Sequence, residues 1–317
     1  MKKSSIALLV GGLFLATGVA QAKEGGDQYP NGAENWYAGA LPPPGTYFIN
    51  YFGYYGGKLQ DGSGNAVKNP ANSKEARVDA FFDALRVVHV TNTQILGGNW
   101  AMHAILPIVS QSVGNLPGTV GSASKFGIGD ITIDPLVITW HHSPELHTAF
   151  GFDINLPTGA YDKDDARKSI GANYYSFEPI YAVTWLPQGS WELSAKLMYN
   201  IKTKNNDSVF LGQSGKYQSG DEFHMDYLVG KKIGDWAVGV SGYYLKQITN
   251  DKFNGETVQG MNNIISTGRK GQVFAFGPSV KYTTKTGTMF VAQWQHETMV
   301  ENRFQGDKLW FKLVTPL

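Results

Sequence analysis

The sequence predicts an all-β protein, an antiparallel transmembrane outer-membrane β-barrel of about twelve strands. Three observations predict this fold. Apolar and polar residues alternate along many segments, as they do in strands that lie between lipid and water. The connections between these segments alternate between long and short. The long apolar run expected of a spanning helix is missing, except for one at the N-terminus that has the features of an export signal.

The first 22 residues resemble a signal peptide. Lys2 and Lys3 form a positive start, residues 6–20 are an apolar run, and Ala20-Gln21-Ala22 is a cleavage site of the A-x-A type. The apolar run is too short for a spanning helix, which needs roughly 20 residues. We therefore expect residues 1–22 to be removed during export, and we expect the protein to be located in the cell outer membrane.

Residues 23–44 are predicted to be a periplasmic N-terminal extension. They are rich in glycine, proline and asparagine, and Pro42, Pro43 and Pro44 cannot enter a strand ladder because proline lacks the amide donor. Two interpretations stay open, a loosely held tail or a plug that enters the barrel, and we prefer the tail. The barrel itself is predicted over residues 45–317.

Alternation is most regular in residues 191–202. Leu197 belongs to the apolar face of this segment, and Lys196 belongs to the polar face. Residues 146–156 show the same pattern, with Asp153 on the polar face. Both segments are therefore predicted to be strands with one face toward lipid and the other toward water.

The same criterion predicts the remaining strands in order. The twelve predicted strands lie near residues 45–58, 80–93, 98–113, 126–141, 146–157, 172–187, 190–203, 217–232, 236–250, 271–283, 287–301 and 307–317. All of them have ten residues or more, which suits a tilted crossing of a membrane, whereas strands of globular proteins usually have about 5 or 6.

The lengths of the connections indicate the topology. Long polar connections lie at residues 60–79, 114–125, 158–171, 203–216 and 251–270. Short ones lie around residues 93–97, 143–145, 188–189, 234–235 and 284–286. Outer-membrane barrels have long loops on the outside and short turns in the periplasm, and closure leaves no unpaired strand edge in lipid. We expect this chain to follow that arrangement.

The composition excludes other classes of protein. The formal net charge is +1 and charged residues make up 17% of the chain, so we expect no nucleic-acid partner. The chain has no cysteine, so strand pairing and burial must stabilise it without disulfides. Aromatic residues lie mostly near predicted strand ends, as membrane-interface girdles do; they include Trp185, Trp191, Trp236, Trp294 and Trp310. The expected partners are outer-membrane lipid, lipopolysaccharide and the outer-membrane assembly machinery.

Polar residues on the inward faces are the candidates for lining the lumen and contacting a solute. They are Asp153, Glu178, Lys196, Glu222, His224, Asp226 and Glu297. Antiparallel pairing is expected to place Asp153 near Glu178, and Lys196 near Glu222 or His224. Because both signs of charge are present, the lumen is not predicted to be a filter of one sign. Either these groups neutralise one another, which we favour, or they contact solute.

Metal and catalytic sites are not predicted. His141 and His142 are adjacent in a strand, so their rings are expected to point to opposite faces, with His147 nearby. No serine lies in a G-x-S-x-G motif. We therefore predict no metal, no cofactor and no enzyme activity. The alternatives kept open are an enzyme that modifies outer-membrane lipid or lipopolysaccharide, and a closed structural barrel.

Several strings resemble one family of outer-membrane proteins, the meta-pathway phenol-degradation proteins, also called the SphA family. The strings are residues 41–45 (LPPPG), 91–98 (TNTQILGG), 127–135 (GIGDITIDP), 155–162 (NLPTGAYD), and Gln247 with Asp251 before a long loop. The resemblance covers nearly the whole chain after the signal peptide. It implies a transporter-like barrel, sometimes found beside genes for degrading aromatic compounds, with no established catalytic residues to transfer. We therefore predict an outer-membrane channel for passive uptake of small hydrophobic or aromatic solutes, phenol-like compounds among them.

Overall fold

A computed structural model describes residues 27–260 and 265–317. The signal peptide predicted at residues 1–22 lies outside the described residues. Within those residues, the two helices are single 3₁₀ turns, Ala166–Lys168 and Thr267–Arg269. In the described part of the chain, no helix has the length and the apolar character needed to cross a membrane.

Thirteen strands form one antiparallel sheet that makes the wall. They are β1 (Gly45–Leu59), β2 (Arg77–Ile95), β3 (Gly98–Gly114), β4 (Ser122–Ile128), β5 (Thr132–His141), β6 (Leu146–Asn155), β7 (Ser176–Trp185), β8 (Trp191–Lys202), β11 (Glu222–Ile233), β12 (Trp236–Gln247), β15 (Gln272–Thr283), β16 (Met289–Glu301) and β17 (Phe304–Pro316). A smaller sheet contains β9 (Asn205–Phe210), β10 (Gln213–Gln218), β13 (Lys252–Phe253) and β14 (Glu256–Thr257).

The wall closes into a barrel through its first and last strands. β1 pairs antiparallel with β17 along their whole length, from Tyr47 opposite Pro316 to Leu59 opposite Phe304. β4 and β5 both pair with β3 and are two parts of one wall strand, interrupted at residues 129–131. The wall therefore has twelve strands, and the predicted all-β antiparallel barrel is confirmed.

Burial alternates along the strands and reverses the usual order of a globular protein. In β8, Lys196 is buried inside the barrel, whereas Leu197 lies on the outer face. Phe276 and Phe311 on the outer face are nearly half exposed, whereas Glu178 on the inner face is fully buried. Apolar side chains thus face outward, where a bilayer would cover them, and polar side chains fill the interior.

Trp310 is an exception to the predicted aromatic girdles. Its side chain is buried inside the barrel, and its ring centroid is 4.4 Å from that of Phe82. Trp310 occupies an inward position of β17, between the outward Leu309 and Phe311. The prediction that it lies at the membrane interface is therefore wrong, because alternation and not distance from the strand end decides which way a side chain points.

The strand register confirms one predicted pairing and corrects another. Asp153 lies opposite Glu178 in the β6–β7 pair, as expected. Lys196, however, lies opposite Asp226 and not opposite Glu222 or His224. The connection between β8 and β11 contains the β9–β10 hairpin, so its length does not reveal how far β11 is shifted along β8.

The two ends of the barrel differ in their connections. At one end the turns are short, and two of them, Leu96-Gly97 and Gly234-Asp235, have only two residues. In Leu96-Gly97 both residues have positive φ, as a type I′ hairpin turn requires. At the opposite end the connections are longer, with the smaller sheet among them. One connection there is also short, since only Asn302 and Arg303 separate β16 from β17. We call these the short-turn end and the long-loop end.

Residues 27–44, called the plug below, run through the interior of the barrel. Near the short-turn end, the Gly39 amide donates a hydrogen bond to Thr184 at the end of β7. Toward the long-loop end, Gln28 reaches Asp130, which lies in the interruption between β4 and β5. The interpretation of this segment as a loosely held tail is therefore wrong for residues 27–39, because side chains of the wall hydrogen-bond to the segment over that range.

Candidate functional site

Asp226 on β11 is the central anchor of the plug. Its carboxylate accepts hydrogen bonds from the Tyr29 hydroxyl at 2.7 Å, the Gly32 amide at 2.8 Å and the Glu34 amide at 3.1 Å. Lys196, opposite Asp226 on β8, lies over the Tyr29 ring at 4.5 Å from its centroid. A buried carboxylate needs several donors in place of water, and the plug supplies three of them here.

The long-loop half of the plug binds several strands at once. Gln28 donates to Asp130 at 2.8 Å and accepts from Ser176 at 2.6 Å. The Asn31 side chain is hydrogen-bonded to His224 Nδ1 at 2.9 Å. These contacts come from three separate wall strands or their connections, so the side-chain amides of the plug replace water in that half of the lumen.

The short-turn half of the plug is bound in the same way. Trp36 Nε1 donates to the Ser279 hydroxyl at 2.8 Å, and the Tyr37 amide donates to Glu192 at 2.5 Å. A side chain at Gly39 would place its Cβ 2.6 Å from the backbone of Val183. The plug therefore lies directly against the wall at this level, and only glycine fits that approach.

A cluster of charges around Glu34 connects the plug to the opposite side of the wall. Glu34 pairs with Arg86 on β2 at 2.5 Å and with Lys312 on β17 at 2.8 Å, and it also accepts a hydrogen bond from the Tyr51 hydroxyl. Both cationic side chains are mostly buried. Removing Glu34 would leave them without their anion, which is costly in a buried site.

The predicted solute-contact residues are all buried in the interior, but the structure divides them by partner. His224 and Asp226 bind the plug, and Lys196 lies over Tyr29 of the plug. Glu222 pairs with Lys202 at 2.5 Å, and Glu297 accepts from the Tyr55 hydroxyl at 2.7 Å. Much of the polar interior therefore serves as a binding surface for the chain's own N-terminal segment.

Asp153, Glu178 and Glu297 also border a cavity that the plug leaves open. This upper cavity, toward the long-loop end, has a volume of about 330 Å³. Its apolar wall comes from inward residues of β2 and β3, namely Val78, Ala80, Phe82, Ala84, Ile105 and Val109. The prediction of a polar inner row missed this wall. The sequence of β2 could have predicted the apolar wall, because apolar residues occupy both faces of this strand. Phe81 and Val87, for example, lie on its outer face.

A smaller cavity of about 120 Å³ lies against the same wall toward the short-turn end. On β2, Ala84 borders the upper cavity, and Arg86, the next inward residue, borders the smaller cavity. On β3, Ile105 and His103 are divided in the same way. A polar layer containing Arg86 and His103 therefore begins where the upper cavity ends, and the two cavities follow one another along the wall.

The connection between β6 and β7 covers the upper cavity at the long-loop end. Ser169 and Ile170 of this connection border the cavity, and Gln111 on β3 donates to the Ser169 carbonyl at 2.9 Å. Hydrogen bonds from Arg167 hold the pKa of the Asp165 carboxyl below its ordinary value. This pair orders the single 3₁₀ turn of the connection, and its contribution decreases as pH falls through that lowered pKa.

Among the described residues, one group has the composition and spacing for a metal ion, namely His103, Asp134 and Asp153. The protein already contacts most of these atoms, although His103 Nδ1 is buried without a hydrogen-bond partner among the described residues. The two oxygens of Asp134 accept the amides of Leu136 and Phe152, each at 2.8 Å, and His103 Nε2 lies 3.2 Å from Asp153 Oδ1. We attribute the group to the irregular β5–β6 pairing, which Asp134 stabilises.

Four histidines, three near the β5–β6 turn and one on β16, bear on the alternative of an enzyme. His141 Nδ1 lies 2.7 Å from His147 Nδ1, and His142 contacts the Thr148 hydroxyl. His296 is paired with Asp307 at 2.9 Å on the outer face. A histidine and a carboxylate are two parts of a hydrolytic triad, which also needs a nucleophile. Within the described part of the chain, no serine or threonine hydroxyl is hydrogen-bonded to His296.

These features define a class of protein, a twelve-stranded barrel of the outer-membrane type whose lumen holds its own N-terminal segment beside an apolar cavity. Within this class, the chain belongs to the family described as "Putative MetA-pathway of phenol degradation", which matches residues 56–313. The resemblance seen in the sequence is therefore confirmed. The match begins within β1, so the plug lies outside it.

Solved structures that resemble this fold are outer-membrane proteins. The COG4313 outer membrane channel from Pseudomonas putida F1 has a TM-score of 0.73 at 16% identity, covering 92% of this chain and 100% of that chain. The translocator domain of the autotransporter NalP from Neisseria meningitidis has a TM-score of 0.48 at 10% identity, covering 88% and 91%. The Pseudomonas putida toluene transporter TodX has a TM-score of 0.43 at 8% identity, covering 94% and 96%. The first likeness establishes the fold, and no curated protein matches the sequence.

Proposed function

We propose that the protein is an outer-membrane channel for the passive uptake of small hydrophobic or aromatic solutes. The observation that carries this proposal is the upper cavity, because a mainly polar lumen filled by a polar plug still leaves about 330 Å³ against an apolar wall. Ligand sites are commonly mostly apolar spaces of this kind, with a few polar groups that orient the ligand. The family description supports phenol-like solutes.

The path that we propose follows β2 and β3. A solute enters beneath the β6–β7 connection, occupies the upper cavity and passes the layer that contains Arg86 and His103. It then reaches the smaller cavity near the short-turn end. Passage needs only small movements of the plug and of these side chains, because the two cavities border consecutive inward residues of the same strands. In a passive channel of this kind, the direction of flux follows the concentration gradient of the solute.

The partners that we propose follow from the outer face. The outward apolar side chains would contact outer-membrane lipid, with lipopolysaccharide around the long-loop end, and the outer-membrane assembly machinery would insert the barrel. Such a face is stable only when lipid covers it, since charged groups are costly there. The alternative of an enzyme is less well supported, because no serine or threonine hydroxyl is hydrogen-bonded to the His296–Asp307 pair among the described residues.

Uptake by intact cells tests the channel. We would express the protein in Gram-negative cells that lack general porins, and measure the initial uptake of radiolabelled phenol, toluene and arabinose. We expect faster uptake of the two aromatic solutes than in cells without the protein. Ala80→Trp, which places a large ring in the upper cavity, should remove the increase without reducing the amount of folded barrel.

Equal uptake with and without the wild-type protein would contradict the channel and favour the closed structural barrel. Folding is checked by heat-modifiable migration in gels. Glu145→Gln, in an exposed short turn, serves as a control that should retain wild-type uptake.

A further inference from the structure

The two sides of the upper cavity differ in chemistry. β2 and β3 provide the apolar side, and Trp310 on β17 adds an aromatic face. The plug, β6 and β7 provide the polar side, which includes Tyr29, Asp153 and Glu178. An occupant that matches this cavity has an apolar body and a polar group at one end.

The protein already satisfies most of the polar groups around the cavity. Asp130 accepts the amides of Gly159 and Ala172, each at 2.9 Å, and also the Gln28 side chain. Glu297 accepts the Tyr55 hydroxyl and, at 2.8 Å, the Gly306 amide. Because the protein supplies donors to these carboxylates, they do not require a hydrogen bond from a solute.

Two of the acidic side chains that border the cavity, Asp153 and Glu178, have a buried oxygen without a hydrogen bond among the described residues. Glu178 differs from Asp153 because Asp153 Oδ1 still lies 3.2 Å from His103 Nε2. The Glu178 side chain is fully buried, and its Oε2 accepts a hydrogen bond from Asn200 at 2.6 Å. Its Oε1 is buried without a hydrogen-bond partner among the described residues. A buried acceptor without a donor is costly, and an ionised one is more so. Asp153 lies directly opposite, and like charges in that position destabilise a strand pair.

We propose that the upper cavity binds a small apolar ring that carries a hydrogen-bond donor, either a hydroxyl or an amino group. The ring lies against Phe82 and Ile105, and the donor reaches Glu178 Oε1. The inference rests on the proposed function, since it names the chemistry that distinguishes one solute of the channel from another. The volume is sufficient, because an apolar cavity of about 150 Å³ already holds benzene.

The same geometry selects against two related classes of solute. An aromatic hydrocarbon fills the space but leaves Glu178 Oε1 without a donor, so it binds less tightly. An aromatic carboxylate brings a negative charge toward Glu178 and Asp153, where repulsion is strong because little water is present. The site therefore distinguishes solutes by whether they carry one hydrogen-bond donor, as buried polar groups do in other pockets.

Binding to the purified protein in detergent tests this site directly. We would titrate phenol, aniline, toluene and benzoate at pH 7.5 and measure heat by calorimetry. Phenol and aniline should bind about tenfold more tightly than toluene and benzoate, which is the ratio expected when a buried acceptor gains one hydrogen bond. Equal affinities for phenol and toluene, or tighter binding of benzoate, would overturn the proposal.

Variants then assign the preference to its residue. Glu178→Leu should lower phenol affinity about tenfold and leave toluene affinity the same or higher. Glu178→Gln, which keeps the shape of the side chain, should reduce the penalty against benzoate. Ala80→Trp should weaken binding of all four ligands, whereas Glu145→Gln should change none. A preference for phenol that survives both Glu178 variants would contradict the assignment.

The site and the channel can fail separately. A preference for donor-bearing rings in calorimetry, together with no increase in cellular uptake, would leave the site intact and contradict the channel. Increased uptake of phenol and toluene, without any difference in their affinities, would support the channel and contradict the site. Each variant is compared only after heat-modifiable migration shows that it has folded, and the wild-type ligand series requires no variant at all.

Discussion

At the scale of the residue, position on the inner or the outer face decides how strongly a charged side chain destabilises the barrel. Lys196 is buried, yet it lies opposite Asp226 and over the Tyr29 ring, which stabilise its charge. Leu197, one position along β8, points outward to where lipid would lie. Neighbouring residues in one strand can therefore be charged and apolar in turn, because one side chain lies in the polar interior and the next faces lipid.

Leu197→Arg is expected to destabilise the barrel by ~2 to 4 kcal/mol, since it would place an unpaired charge near the middle of the bilayer. Leu197→Ala, which shortens the side chain without adding charge, should cost much less. We would measure both free energies of unfolding by urea titration of the protein in lipid vesicles. Similar values for the two variants would mean that residue 197 does not face lipid.

At the scale of the element, the plug is bound mainly through polar contacts. Its side chains and amides replace water around groups that would otherwise be buried without partners, as at Asp226 and Glu34. Such contacts are individually modest in net energy, but breaking one leaves several groups unsatisfied. The plug is therefore firmly held, and a single anchor can influence it.

Asp226→Ala is expected to loosen the plug, because the Tyr29 hydroxyl and two amides lose their acceptor at about 1 to 3 kcal/mol each. We would measure single-channel conductance in planar bilayers and expect higher or more variable conductance than in the wild type. Asp235→Ala, in an exposed turn at the short-turn end, is the matched control. Unchanged conductance for Asp226→Ala would show that Asp226 does not hold the plug.

At the scale of the whole molecule, the barrel is asymmetric in two directions. Along its axis, short turns lie at one end and longer connections with a small second sheet lie at the other. Around its circumference, the polar interior binds the plug, whereas the interior of β2 and β3 is largely apolar and borders both cavities. The first asymmetry predicts orientation in the membrane, and the second leaves a path for an apolar solute.

Orientation can be tested by labelling single cysteines, since the native chain has none. Asp164→Cys, in the β6–β7 connection, should react with a membrane-impermeant maleimide in intact cells, because long loops face outward. Gln188→Cys, in a short turn, should react only after the outer membrane is permeabilised. The opposite pattern of labelling would reverse the proposed orientation.

The sequence alone predicted the barrel and the faces of its strands because both follow from local periodicity. The alternation around Leu197 and Lys196 requires no knowledge of any other strand. Connection lengths then gave the arrangement of short turns and long loops. The pairing of Asp153 with Glu178 was also predictable, since both residues lie close to the ends of their strands on either side of one loop.

Only the tertiary structure showed which groups pair inside the lumen and that the plug lies there. The partner of Lys196 depends on a register set beyond the β9–β10 hairpin, and the course of the plug has no periodicity from which it could be predicted. The segment is polar and contains proline and glycine, a composition that suits a free tail as well as a bound one. Its position follows from buried carboxylates such as Asp226, which need donors, and only the closed barrel brings those donors and acceptors together.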